Sequence, residues 1–150
     1  MDEKMGTFAT LINVLKLKEI KGKPEVFSFY LGYKKLQNKQ AKLFNSTPLM
    51  FVIDITGGGK FVLAFDLFMI GKENAKRVYE KFLPFSKSKI TDMQTFVELR
   101  DSLLKEFPVM TKKQMLKTFP QEHFLSLYEV PSDKVVEVID KFDALFSLEL

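Results

Sequence analysis

Two apolar runs split by three glycines constrain this chain more than any other stretch. The runs are Leu49-Met50-Phe51-Val52-Ile53-Asp54-Ile55 and Phe61-Val62-Leu63-Ala64-Phe65-Asp66-Leu67-Phe68-Met69-Ile70, with Thr56-Gly57-Gly58-Gly59-Lys60 between them. Both have strand length, and consecutive glycines supply the left-handed backbone that a tight turn needs, so the stretch predicts a β-hairpin. With Gly57–Gly59 as the loop, Ile55 faces Phe61, Ile53 faces Leu63, Phe51 faces Phe65 and Leu49 faces Leu67. All are apolar, as a core-facing sheet surface requires. The opposite face carries Met50, Val52, Asp54, Thr56, Lys60, Val62, Ala64, Asp66, Phe68 and Ile70. It is half apolar, which suits either a partial cover or a protein–protein interface.

The flanking sequence sorts into elements around this hairpin. Phe8, Leu11, Ile12 and Leu15 recur at helical spacing and predict a helix over 5–19, stopped by Lys21-Gly22-Lys23-Pro24. Residues 25–34 alternate as a strand, with Phe27, Phe29, Leu31 and Tyr33 on one face and Ser28, Tyr30, Gly32 and Lys34 on the other. A turn at Gln37-Asn38-Lys39 and a short strand, or else a short helix, follow. Helices are expected over 72–83, from the Thr91-Asp92-Met93-Gln94 capping box to Phe107, and from Thr111 to Phe119-Pro120. Residues 123–130 read as a strand or one more helical turn, and Pro131-Ser132-Asp133 opens a last helix.

The expectation is an α+β fold: an N-terminal helix, a mainly antiparallel sheet of three to five strands built around the hairpin, and a helical C-terminal half on one sheet face. At 150 residues, 46% of them hydrophobic, the chain can bury a core as a single domain over 1–150, with a soft boundary near 85–90 at Ser86-Lys87-Ser88-Lys89. No apolar run approaches the ~18 residues of a membrane helix, and Met1-Asp2-Glu3-Lys4 does not open a secretory signal. A cytoplasmic protein with no membrane partner is expected.

Composition narrows the chemistry. Without cysteine there is no disulfide or thiolate metal site, and His123 is the single histidine. A metal would have to be held by carboxylates, which favours magnesium or manganese over zinc. The net charge of +4 conceals an asymmetry: residues 1–90 carry 16 basic and 8 acidic side chains, and residues 91–150 carry 7 and 11. Such segregation draws an anionic partner to one region. Only Arg77 and Arg100 among the 23 basic residues are arginine, which disfavours reading of duplex base edges by planar forks.

Three chemical readings remain. The Gly-Gly-Gly-Lys loop is not a phosphate loop, because Phe61 follows Lys60 and a strand rather than a helix follows the loop. Asp54 and Asp66, acids within apolar strands, share a face in the register above. They lie four residues apart, on the order of 13 Å, too far for a joint metal without a carboxylate such as Glu73 or Glu80. A strand ending in Asp54, a glycine turn and a second strand resemble the start of an RNase H-like fold. That resemblance implies a magnesium-dependent nuclease with Asp54 and Glu80 as ligands, although there a third strand precedes the helix.

Finally, Tyr30 and Tyr33 beside Lys34, Lys35, Lys39 and Lys42, with Lys60 at the hairpin tip, suit stacking and phosphate contact with single-stranded nucleic acid. The leading expectation is therefore a cofactor-free, non-enzymatic binding module. Its anionic partner would be single-stranded nucleic acid, a nucleoprotein or an acidic protein. The alternatives are the nuclease and a non-catalytic subunit of a larger assembly.

Overall fold

The computed structural model describes residues 3–35 and 46–147, with residues 3–5 as backbone only. The expected turn and strand after Leu36, and with them Lys39 and Lys42, lie outside the described residues.

Helix α1 (Glu3–Leu15) ends four residues before the expected position. Lys16 takes a left-handed conformation at φ 56°. The Lys16 and Leu17 amides then donate to the Asn13 and Ile12 carbonyls at 3.3 and 3.2 Å, a paired helix stop that needs no glycine. The chain is thereby freed to form β1 (Lys18–Ile20), followed by β2 (Phe29–Lys34), β3 (Leu49–Thr56) and β4 (Phe61–Asp66). Helices α2 (Lys72–Ser86), α3 (Met93–Lys105) and α4 (Val109–Met115) come next, then β5 (Leu116–Pro120), β6 (Phe124–Val130) and α5 (Val135–Ser147). The fold is α+β as expected, but among the described residues the antiparallel sheet has six strands rather than three to five, in the order β1-β6-β2-β3-β4-β5, because Lys18–Ile20 and Leu116–Pro120, both expected mainly as helix, pair at its edges.

The central hairpin forms, but its register differs from the expected one. Phe51 pairs with Phe65 and Met50 with Asp66 as read from the sequence. Beyond Val52–Ala64 an irregularity inserts Ile53, so that Asp54 pairs with Leu63, Ile55 with Val62 and Thr56 with Phe61. One extra residue in one strand reverses the facing of everything after it. Strand β4 stops at Asp66, and Leu67–Ile70 form a helical turn, so Leu49 does not face Leu67. The glycine loop earns its composition: Gly57, Gly58 and Gly59 sit at φ of 62°, 67° and 96°.

Strand β5 is the other departure, since 111–120 reads as helix from its capping signal. The helix stops at Met115, and Leu116–Pro120 instead pair along β4, where backbone bonding to an open edge outweighs local propensity. The cap of α3 is also one residue later than expected: the Asp92 carboxylate accepts from the Thr95 amide at 2.7 Å. Pro84 lies within the last turn of α2 rather than after it.

The two sheet faces do different things. One carries the main core, in which Phe29, Leu31, Phe51, Ile53 and Phe65 meet α1 (Phe8, Ile12, Leu15), α2 (Val78, Phe82), α3 (Leu103) and α5 (Val138, Phe142). Phe82 lies at its centre, stacked on Phe51 at 4.3 Å between ring centroids. The other face carries Tyr30, Met50, Val52, Val62, Ala64, Phe119 and Leu127, with no residue of any described helix among them.

That second cluster is enclosed because the sheet rolls up around it. Strands β5 and β6 are separated by three other strands yet joined by only Gln121–His123. In a flat sheet they would stand ~19 Å apart sideways alone, whereas four residue steps reach at most ~14 Å. Both run antiparallel to strands of one direction, β4 and β2, so together they act as one bent strand that lies first along β4 and then along β2. The Phe119 and Phe124 rings approach to 5.8 Å across the bend. Gly32 lies under it: a Cβ there would stand 2.7 Å from the Phe124 ring. Met50, Val52, Val62 and Ala64 are consequently buried, and the half-apolar face expected as a possible interface is interior to the chain. No helix among the described residues is long and apolar enough to cross a membrane.

Candidate functional site

The bend at Gln121–His123 is also where two of the expected basic residues, Lys35 and Lys60, are anchored. The Lys35 amide donates to the His123 carbonyl at 3.0 Å, and the Gln121 amide donates to the Lys60 carbonyl at 2.8 Å. Two lysines 25 residues apart in the chain are thus fastened to one three-residue turn, with backbones on the order of 12 Å apart. Both side chains are exposed, as is His123. Lys23 joins them from another part of the chain: its Nζ donates to the Gly58 carbonyl at 3.0 Å, beside the hairpin tip.

Lys34 is placed differently. Its side chain points into the mouth of the rolled sheet, with Nζ 5.3 Å from the Phe119 ring centroid. Half-burial lowers its pKa, the neighbouring Lys117 charge lowers it further, and Asp66 opposes both. Asp66 is buried, and its Oδ1 accepts from the Leu49 and Phe68 amides at 3.2 and 3.1 Å. Burial pushes its pKa up to about 6, against the pull of those amides and of Lys117 and Lys34. Lys34 and Lys117 thus lie within electrostatic reach of buried Asp66.

The aromatic half of the expectation fails at Tyr30 and Tyr33. Both rings are buried, at 4% and 3% exposure, because strand alternation sends Tyr30 into the inner cluster and Tyr33 into the main core against Phe8. The Tyr30 hydroxyl accepts from the Glu25 amide at 2.8 Å, and burial raises its pKa. Neither ring offers a face to a base. An exposed ring in this region is Phe61, at 40%: it shares the face of Leu63 and Phe65 but opens β4 at the hairpin end, beyond the main core. Phe61 lines a groove of about 540 Å³ with Gly59, Lys60, Pro120, Gln121 and Glu122. The expected core-facing side of Phe61 holds, but its place at the strand end leaves it exposed. Sequence reasoning passed over Lys23 as a helix stop and Lys117 as helical.

Asp54 and Asp66 do not share a face. After the bulge Asp54 turns toward the helices, where its Oδ2 accepts from Arg100 Nη1 at 2.8 Å and its Oδ1 accepts from the Ile55 amide at 2.8 Å. Asp66 faces the inner cluster. Glu80 is exposed on α2, and among the described residues no three His, Asp or Glu side chains stand close enough to hold a metal ion. An arginine on the Asp54 carboxylate supplies in place the charge compensation that a cation would otherwise give.

Compared with known proteins, the chain matches no family model, and no curated protein and no solved structure is significantly similar to it.

Proposed function

We propose that this protein is a non-enzymatic binding module whose lysine-rich surface around the β5–β6 bend takes an anionic polymer, single-stranded nucleic acid in the first place. The observation that carries the reading is the convergence at one turn of exposed Lys35 and Lys60, with Lys23 beside them, and of a half-exposed phenylalanine flanking a groove. Lysines supply phosphate contacts without base specificity, and Phe61 supplies a stacking face for one base. Lys23, Lys35 and Lys60 all come from residues 1–90, where the excess of basic side chains lies. Lys39 and Lys42 belong to the same basic stretch of sequence.

The test is fluorescence anisotropy with a labelled oligothymidylate, comparing wild type with Lys35→Glu/Lys60→Glu and with Phe61→Ala. The double reversal should weaken binding at least ~10-fold and flatten its salt dependence. Loss of the ring should cost ~1–3 kcal/mol while leaving the salt slope unchanged. An acidic polypeptide partner would show the lysine effect without the Phe61 effect. Affinity unaltered by either change refutes the reading.

A further inference from the structure

A second site lies on the helical side, away from the lysines of the bend. Helix α2, the turn Leu67–Ile70 and helix α4 enclose a pocket of about 270 Å³. Asn74, Arg77, Val78 and Lys81 fall at i, i+3, i+4 and i+7 and so present one face of α2 to it. Buried Ile70, Val78 and Phe107 make an apolar floor, while Arg77, Lys81 and Thr111 stand at the rim. The walls are tied together: Asn74 Nδ2 donates to the Ile70 carbonyl at 3.1 Å and Gln114 Nε2 to the Met69 carbonyl at 2.9 Å. The turn is thereby pinned to both helices.

The charges around the pocket are unbalanced. Among the described residues no Asp or Glu lines it and the Arg77 guanidinium has no ion-pair partner, although salt bridges hold Arg100, Lys72 and Lys76. Lys81 Nζ rests 5.4 Å from the Phe107 ring centroid, so an anion drawn to it is brought over the apolar floor. Apolar floors with a few convergent polar groups are the usual make-up of small-molecule sites, and this volume is at the small end, below the ~300 Å³ of typical ligand pockets. An arginine fork paired with a lysine point charge suits a doubly charged phosphate better than a single carboxylate.

We infer that this pocket binds a small phosphate monoester with an apolar body, the phosphate between Arg77 and Lys81 and the body on Ile70, Val78 and Phe107. This rests on observations independent of the bend. The experiment is a titration of the ¹⁵N-labelled full chain with phenyl phosphate, followed by amide chemical shifts, with inorganic phosphate and phenol as separate arms. Saturable shifts confined to the amides around Val78, Phe107 and Thr111 are expected, with phenyl phosphate binding more tightly than either arm. Arg77→Gln/Lys81→Gln should weaken it at least ~10-fold while the rest of the spectrum stays in place, since both side chains are exposed. Non-saturating shifts overturn the proposal. So does equal binding of inorganic phosphate, because the apolar floor would then contribute nothing. Affinity unchanged in the double variant overturns it too.

Discussion

Replacing Asp66 by asparagine should stabilise this protein at neutral pH. An aspartate in an unfolded chain ionises near 3.8, whereas burial in the fold pushes Asp66 to about 6. Between those values the folded state keeps a proton that the unfolded state has lost, so stability falls as pH rises. At ~1.36 kcal/mol per pH unit, that gap amounts to about 3 kcal/mol, fully present below pH 3.8 and lost by pH 7. Asparagine has the same shape, and its Oδ1 still accepts from the Leu49 and Phe68 amides, so the local turn survives. It carries no charge to desolvate. Urea unfolding followed by far-ultraviolet circular dichroism between pH 4 and pH 8 is the assay. Near pH 4 the Asp66→Asn variant should match wild type, and above pH 6 it should exceed it by about 2–3 kcal/mol. A variant that is less stable than wild type at pH 7, or a difference that does not change with pH, refutes the reasoning. Either would mean that Lys34 and Lys117 hold Asp66 as a satisfied ion rather than a strained one.

The rolled sheet is probed at Gly32, whose substitution by alanine drives a Cβ into the Phe124 ring and toward Met50, 2.7 and 3.2 Å away. Gly32→Ala should cost ~1–3 kcal/mol in urea unfolding, whereas Gly22→Ala, with open space around it, should fall within ~0.5 kcal/mol of wild type. A double-mutant cycle on Asp54→Asn and Arg100→Gln should return a coupling of about 1 kcal/mol, modest because the two side chains remain 20% and 26% exposed. A coupling of zero would mean that the pair does not hold α3 to the hairpin.

What was legible in the sequence follows from how local each signal is. Alternation in 29–34 placed Tyr30 and Tyr33 on opposite faces correctly, because strand period depends on neighbouring residues alone. The inserted Ile53 was illegible: every residue from Leu49 to Ile55 except Asp54 is apolar, so no pattern marks the phase change. That single slip misassigned the face of Asp54 and the partners of Ile55 and Thr56. Strand β5 was hidden for another reason, since Leu116–Pro120 acquire extended structure only by pairing with the edge of β4. The basic site was half legible. Its lysines stand out in composition, but the meeting of Lys35 with Lys60 depends on the roll of the whole sheet, which no stretch of sequence encodes by itself.

The salt dependence of oligothymidylate binding to the unmodified protein reads out whether these lysines serve an anionic polymer. Each phosphate neutralised on a single strand contributes a slope of about −0.7 to log K against log salt concentration, so contacts from Lys23, Lys35 and Lys60 predict a slope of about −2. A measured slope near −2 that drops toward −0.7 in the Lys35→Glu/Lys60→Glu variant agrees with the account. A slope near zero, or no binding at low salt, contradicts it.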